Sequence, residues 1–156
     1  MRSYFNCMKV KKVLSRDIIK IRNDAPVLEA ARLMFHNQIS AVLVVDANDS
    51  LVGLLSEKDI YRALYPSYTD FYTQPEAFLD YEKMESKASQ IKQLPVEKFM
   101  SKNLYTVSED DPLMKVGAIM LSKNVNRLPV LNSDGKLVGI VSRREIYQEL
   151  LRDQFV

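Results

Sequence analysis

Residues 13–64 and 99–150 align without a gap at a constant offset of 86 positions, and twelve of the 52 aligned pairs are identical. The identities include Ser15/Ser101, Asp24/Asp110, Pro26/Pro112, Met34/Met120, Val44/Val130, Gly53/Gly139, Ser56/Ser142 and Ile60/Ile146. A repeated unit of about 50 residues folds as a pseudo-symmetric pair of supersecondary units. Such a pair offers two equivalent clefts, and differences between the halves then say which cleft is the better site.

Each half carries the same order of local signals. A short alternating segment (residues 18–21 and 104–107) reads as a strand. Asp24 and Asp110, two residues before Pro26 and Pro112, read as helix-start signals. Apolar or small residues follow at Val27, Ala30, Ala31 and Met34, and at Leu113, Val116, Gly117 and Met120, spaced to bury one helix face. The small central residues, with Ala118, fit close core packing or a helix-to-helix dimer face. Two apolar runs then flank a turn-forming stretch, residues 42–45 and 51–55 around 46–50, and 128–131 and 137–141 around 132–135. They read as hairpins. A second helix closes each unit, at 57–64 and 143–151. The fold class is therefore α+β: two β-α-β-β-α repeats plus a helical insert. The boundaries are an N-terminal segment 1–12, repeat one 13–64, an aromatic linker 65–98, repeat two 99–151 and a tail 152–156. Met8 reads as an alternative start, which would leave residues 1–7 as a poorly ordered tail.

The linker opens with a turn-like Tyr65-Pro66-Ser67-Tyr68, and Pro75 precedes a helical reading over 76–94. Phe78, Tyr81, Ala88 and Ile91 mark an apolar stripe there. The segment is too apolar for a floppy linker. Its aromatics are expected in a core, packed on the first repeat or on a partner, with a ligand platform as the alternative.

Composition narrows the function classes. The 22 basic and 20 acidic residues leave a net charge of +2, too balanced for bulk nucleic-acid binding. One cysteine, Cys7, and one histidine, His36, exclude an intrachain disulfide and a cysteine- or histidine-rich metal site. The apolar runs are strand-length, so no membrane span is expected, and a cytoplasmic location is the default. No nucleophile–base pair, metal cluster or phosphate loop points to a catalyst.

The sharpest local motif is Gly53-Leu54-Leu55-Ser56-Glu57-Lys58-Asp59-Ile60, repeated as Gly139-Ile140-Val141-Ser142-Arg143-Arg144-Glu145-Ile146. Two readings stand. Ser56 to Asp59 and Ser142 to Glu145 have capping-box spacing, which explains neither the glycine nor the change from Asp to Glu. The same geometry suits a nucleotide, with a short carboxylate accepting ribose hydroxyls and nearby cations taking phosphate. The extra methylene of Glu145 would misplace the ribose contact. Cations in a first helical turn (Lys58, Arg143, Arg144) oppose the helix dipole. A bound anion would offset that, unless they simply point into water. Arg127, just before a buried-looking strand, either binds phosphate or pairs with a surface acid. Its counterpart in the first half is Ala41.

Together these residues resemble the CBS-domain family. The carriers are Asp24-Ala25-Pro26-Val27-Leu28-Glu29-Ala30-Ala31, Arg127-Leu128-Pro129-Val130 and the two Gly-hydrophobic-hydrophobic-Ser-x-x-acid-Ile endings, in order and in duplicate. The resemblance implies two sheets related by a pseudo-twofold axis, and clefts that each mix residues of both repeats. The implied ligands are AMP, ADP, ATP or S-adenosylmethionine, with no catalytic cofactor. Carried over, one cleft combines Ser56, Asp59, Leu104, Asn126, Arg127 and Arg144. The other, weaker cleft combines Ile18, Ser40, Ala41, Lys58, Ser142 and Glu145. Arg143 is a poorer phosphate candidate than Arg144, since adjacent helical residues point apart. The expected function is an adenosine-nucleotide sensor, homodimeric and read by a regulated protein partner. The alternative is a non-catalytic homodimeric scaffold with no bound nucleotide.

Overall fold

The structure is a computed structural model and describes residues 7–156. The expected tail at residues 1–7 therefore lies outside the described residues except for Cys7, which is exposed. The elements run β1 (Lys20–Arg22), α1 (Val27–Asn37), β2 (Ala41–Val45), β3 (Leu51–Ser56), α2 (Glu57–Ala63), α3 (Tyr68–Thr73), α4 (Tyr81–Ile91), β4 (Val107–Ser108), α5 (Leu113–Lys123), β5 (Arg127–Leu131), β6 (Leu137–Ser142) and α6 (Arg143–Phe155). The β-α-β-β-α order expected of each half is present twice. The two leading strands are shorter than their alternating segments, and α6 runs four residues further than expected.

Each half builds one three-stranded sheet, β1-β2-β3 and β4-β5-β6. In both, the first strand is parallel to the second and the hairpin is antiparallel, with a register shift at the same place, Val44/Val45 and Val130/Leu131. The hairpin turns are also matched. Asp46 Oδ1 accepts from the N–H groups of Asn48 and Ser50, at 2.8 and 3.0 Å. Asn132 Oδ1 accepts from Asp134 and Lys136, at 3.0 and 2.9 Å. α1 and α5 both end on a left-handed residue, Gln38 (φ 53°) and Asn124 (φ 51°), an ordinary way to stop a helix.

The chain divides into two compact units, and the division does not follow the repeats. One unit is Ile19–Asn103. The other joins residues up to Ile18 with Leu104–Val156. In the first unit the core is Ile21, Ala30, Met34, Val42, Val44, Leu55 and Val96. In the second it is Val107, Leu113, Val116, Met120, Leu128, Val130, Val141, Ile146 and, from far upstream, Val10. Val10 and Val96 are fully buried, and they stand 86 residues apart. The segment that leads into each repeat thus packs on the sheet of the other. Ser15 bridges Ile140 of β6, and Ser101 bridges Leu54 of β3.

These leading segments also correct the reading of the helix starts. Asp24 and Asp110 cap nothing. Asp24 pairs with Arg22 at 3.0 Å, and Asp110 pairs with Lys11 at 3.0 Å and Lys9 at 3.4 Å. Pro26 and Pro112 hold the N-cap positions and offer no side-chain bond. Instead the Val27 and Leu28 N–H groups donate to the Leu94 and Lys92 carbonyls, both at 2.9 Å, and the Leu113 N–H donates to the Met8 carbonyl at 2.8 Å. Backbone from the exchanged segment satisfies donors that a capping side chain would otherwise take.

The linker differs from expectation in two ways. The helix read over 76–94 is broken. Pro75–Leu79 forms a short 3-10 segment, and α4 starts afresh at Tyr81, where Asp80 accepts from the Lys83 N–H at 3.0 Å. Upstream, the turn-like stretch gives way to α3, started by Ser67 and Asp70 in a complete capping box. Its aromatics are not core. Tyr68 is 78% exposed, Phe71 50%, Tyr72 68% and Tyr81 66%. Of the expected stripe only Ile91 is buried. The segment lies in the compact unit of repeat one. Among the described residues no helix is long and apolar enough to cross a membrane.

Candidate functional site

The site residues fall into two sets, one in each unit. In the unit Ile19–Asn103 the mouth of the β2–β3 hairpin brings together Ser40, Ala41, Ser56, Lys58 and Asp59. Ala41 stands opposite Ser56 in the ladder, and the Glu57 N–H donates to the Ser40 carbonyl at 3.0 Å. The other unit repeats the arrangement with Asn126, Arg127, Ser142, Arg144 and Glu145. Arg127 stands opposite Ser142, and the Arg143 N–H donates to the Asn126 carbonyl at 2.8 Å. Ile18 and Leu104, both half-buried, sit at the two junctions ahead of β1 and β4.

Both helix starts are closed by their own side chains. Asp59 Oδ2 accepts from the Ser56 N–H and from the Ser56 hydroxyl, each at 2.8 Å, while Ser56 Oγ accepts from the Asp59 N–H at 3.2 Å. Glu145 does the same through Oε2, at 2.7 Å from the Ser142 N–H and 2.9 Å from its hydroxyl, with the return bond at 3.3 Å. Glutamate therefore completes the box as well as aspartate, so capping accounts for both Ser–acid pairs. The difference left between them is one of reach. Both carboxylates are pinned through one oxygen, but the Glu145 carboxyl stands one methylene further from its backbone. Asp59 Oδ1 and Glu145 Oε1 take no part in either box.

The motif glycines have a structural reason that capping alone lacked. A Cβ on Gly53 would overlap Met100 Sδ, fall 2.9 Å from Met100 Cγ and 3.2 Å from the Ser101 carbonyl oxygen. One on Gly139 would overlap Leu14 Cδ1 and the Ser15 carbonyl oxygen. The glycines admit the exchanged segments, where any side chain would push them off.

The three first-turn cations separate. Lys58 and Arg144 are exposed. Arg143 is half-buried and turned inward, donating through Nη2 to the Met120 carbonyl at 3.1 Å and the Val125 carbonyl at 3.0 Å. It closes the end of α5, which leaves Arg144 as the phosphate candidate of that pair. Arg127 is half-buried at the head of β5. Among the described residues no group of three or more His, Cys, Asp or Glu is placed to hold a metal ion. One feature lies outside these sets: an aromatic groove beside α3, which the sequence offered only as the alternative reading of the linker aromatics. The Ser67-x-x-Asp70 spacing, identical to that of Ser56 and Asp59, was the unread signal for α3 itself.

Comparison with known proteins agrees with the fold. An uncharacterized 17.7 kDa protein of Acidianus ambivalens is 28% identical over 143 residues, which is 92% of this chain and 73% of that protein. The first curated relatives are spanned to very different extents, from 22% to 92% of their length. Among solved structures, the CBS domain pair of protein MJ0100 in complex with 5-methylthioadenosine and S-adenosyl-L-methionine superposes with a TM-score of 0.69 at 26% identity, covering 92% of this chain and 99% of that one. CBSX2 in complex with AMP gives a TM-score of 0.68 at 22% identity, covering 94% and 98%. The CBS-domain family model matches residues 10–66 and 91–152, three-quarters of the chain in two copies, and the chain belongs to the CBS-domain family.

Proposed function

We propose that the chain is a regulatory sensor for an adenosine derivative, not a catalyst. On the family resemblance, the ribose is assigned to Ser56 and Asp59, the base to Leu104, and the phosphate of AMP, ADP or ATP to Asn126, Arg127 and Arg144. The carrying observation is the pinned carboxylate of Asp59. Oδ2 is held by two bonds from Ser56, so Oδ1 keeps a fixed direction and is ready to accept from a ribose diol without reorganisation. The complex of MJ0100 with two adenosine compounds, at 26% identity, supports the ligand class. The other combination the resemblance implies (Ile18, Ser40, Ala41, Lys58, Ser142 and Glu145) binds more weakly, because Ala41 stands where the first has Arg127, and Glu145 where it has Asp59.

Sensing requires that the ligand favour one of two arrangements, and a homodimer read by a regulated protein supplies them. Phe35 and Leu121 hold equivalent positions in the last turns of α1 and α5 and are 80% and 64% exposed. They support self-association through these helices.

The test separates capping from binding. Asp59→Glu keeps a capping box of the kind Glu145 already forms, so its urea midpoint should match the parent. Its affinity for the best ligand among AMP, ADP, ATP, S-adenosylmethionine and methylthioadenosine should fall about tenfold or more, the loss of one charge-assisted bond. Glu145→Asp should leave that affinity within a few-fold. A ligand at 100 times its Kd stabilises by about 2.7 kcal/mol, readily seen by scanning fluorimetry. If no adenosine compound shifts the transition, the complete capping boxes favour the ligand-free scaffold instead. If Asp59→Glu binds as tightly as the parent, the ribose assignment is wrong.

A further inference from the structure

The tyrosines of the linker border a groove that the sensor reading leaves unused. It has a volume of about 910 Å³ and lies wholly within the unit Ile19–Asn103, between the end of α2, the start of α3 and the end of α4. That volume falls in the range of small-molecule pockets, about 300–1,000 Å³. Tyr61, Tyr65, Tyr68 and Phe99 bring aromatic rings to its wall beside Ile91 and Leu94, and the Tyr61 and Tyr65 rings meet at 4.8 Å with a 51° tilt. A tilted pair presents both a ring face and a ring edge, an arrangement that receives another flat ring well.

The charge of the lining is directional. Arg62 and Lys87 bring two cations, and neither is in an ion pair among the described residues. Asp70 is the one carboxylate in the wall, and its Oδ2 is engaged by Ser67, accepting from the N–H at 2.9 Å and from the hydroxyl at 2.7 Å. The groove therefore offers an aromatic wall with two cations against one carboxylate, a net positive lining, and the Lys87 charge also acts on Asp70, adding to the Ser67 hydrogen bonds that hold that carboxyl below its ordinary range. We propose that it binds a small aromatic anion, an aryl carboxylate or sulfonate, with the ring against Tyr61, Tyr65 and Phe99 and the anionic head on Arg62 and Lys87. This site is separate from the adenosine site and independent of it, since it uses no residue of the Asp59 or Arg127 sets.

The probe is 1-anilinonaphthalene-8-sulfonate, titrated by fluorescence into the full chain at neutral pH. Saturable enhancement at one site per chain is expected. It should weaken about tenfold in Arg62→Gln/Lys87→Gln, through loss of the charge-assisted bonds, and also in Tyr68→Ser. All three substituted side chains are exposed, so urea midpoints should match the parent. That match also excludes dye binding to a loosened fold. Arg127→Gln should leave dye binding unchanged, and excess AMP should not displace the dye. Absence of saturable enhancement, or enhancement indifferent to the groove substitutions, overturns the proposal. Displacement by AMP together with loss in Arg127→Gln also overturns it, by assigning the dye to the adenosine site. Failure of AMP to bind at all leaves the groove result standing.

Discussion

Gly139 lies so close to the carbonyl of Ser15 that a Cβ would overlap the oxygen and fall 3.3 Å from the carbon. Its counterpart Gly53 is crowded chiefly by the Met100 side chain, which can swing away, whereas the Ser15 backbone is held by reciprocal hydrogen bonds with Ile140 at 2.9 and 3.0 Å. Gly139→Ala should therefore destabilise by about 3 kcal/mol and Gly53→Ala by about 1 kcal/mol, within the usual range for overpacking. Gly117 is the control. A Cβ there meets only Ile146 Cγ2 at an ordinary 3.6 Å, so Gly117→Ala should gain about 0.5 kcal/mol from helix propensity. Urea denaturation of the three variants checks the order.

Arg143 and Arg144 are adjacent and alike, but only Arg143 is turned onto the Met120 and Val125 carbonyls. Arg143→Ala should cost about 2 kcal/mol, the worth of charged hydrogen bonds to a half-buried group, with ligand affinity unchanged. Arg144→Ala should reverse the pattern, leaving the urea midpoint in place and weakening a phosphate-bearing ligand. Parallel denaturation and calorimetric titration distinguish the two.

Val10 is buried in the unit that holds the second repeat, and the Met8 carbonyl receives the Leu113 N–H. Val10→Ala should lower stability by about 2 kcal/mol, two methylenes of transfer plus a small cavity. A chain starting at residue 13 loses the valine and the acceptor together. Its amide exchange should rise in α5 and β4–β6 and stay near parental in α1 and β1–β3.

Acid should weaken the unit holding the second repeat. The Lys11 hydrogen bond, then its charge, then Lys9 hold the Asp110 carboxyl below its ordinary range. For Asp111 burial pushes upward but is outweighed by the Lys115 and Ser108 bonds and the Lys115 charge, so its carboxyl is lowered too. With folded values below the unfolded pKa of about 3.9, the unfolded chain takes up protons first. The contribution is complete above that pH and is lost as pH falls through the folded values. The urea midpoint should hold between about pH 5 and 7 on this account and drop below about pH 4. Lys9→Gln/Lys11→Gln should make that drop shallower.

Periodicity made most of the fold readable. Val27, Ala30 and Met34 are buried as their spacing requires, with Ala31 only half-buried, and so are Leu113, Val116, Gly117 and Met120. What periodicity could not show was which sheet receives each leading segment, because Ser15 and Ser101 would look the same whichever hairpin they bridged. The purpose of Gly53 and Gly139 was hidden for the same reason. Asp24 and Asp110 misled because a Pro-headed helix start can take its acceptor from distant backbone as readily as from a nearby side chain. In the candidate site the capping boxes were legible from spacing, while the inward turn of Arg143 depends on where α5 ends, which is a tertiary fact. The aromatics of α3 follow neither a helical nor a strand period against a core, so burial could not be read from hydrophobicity alone.

The crossed leading segments bear on how such a chain could arise. One repeat made by itself would lack the valine that fills its core and the carbonyl that receives the first N–H of its helix. Two separate copies could complete each other only by trading those segments, which is domain swapping. Within one chain the trade is made internally, so each unit is complete only when the leading segment of the other repeat is present.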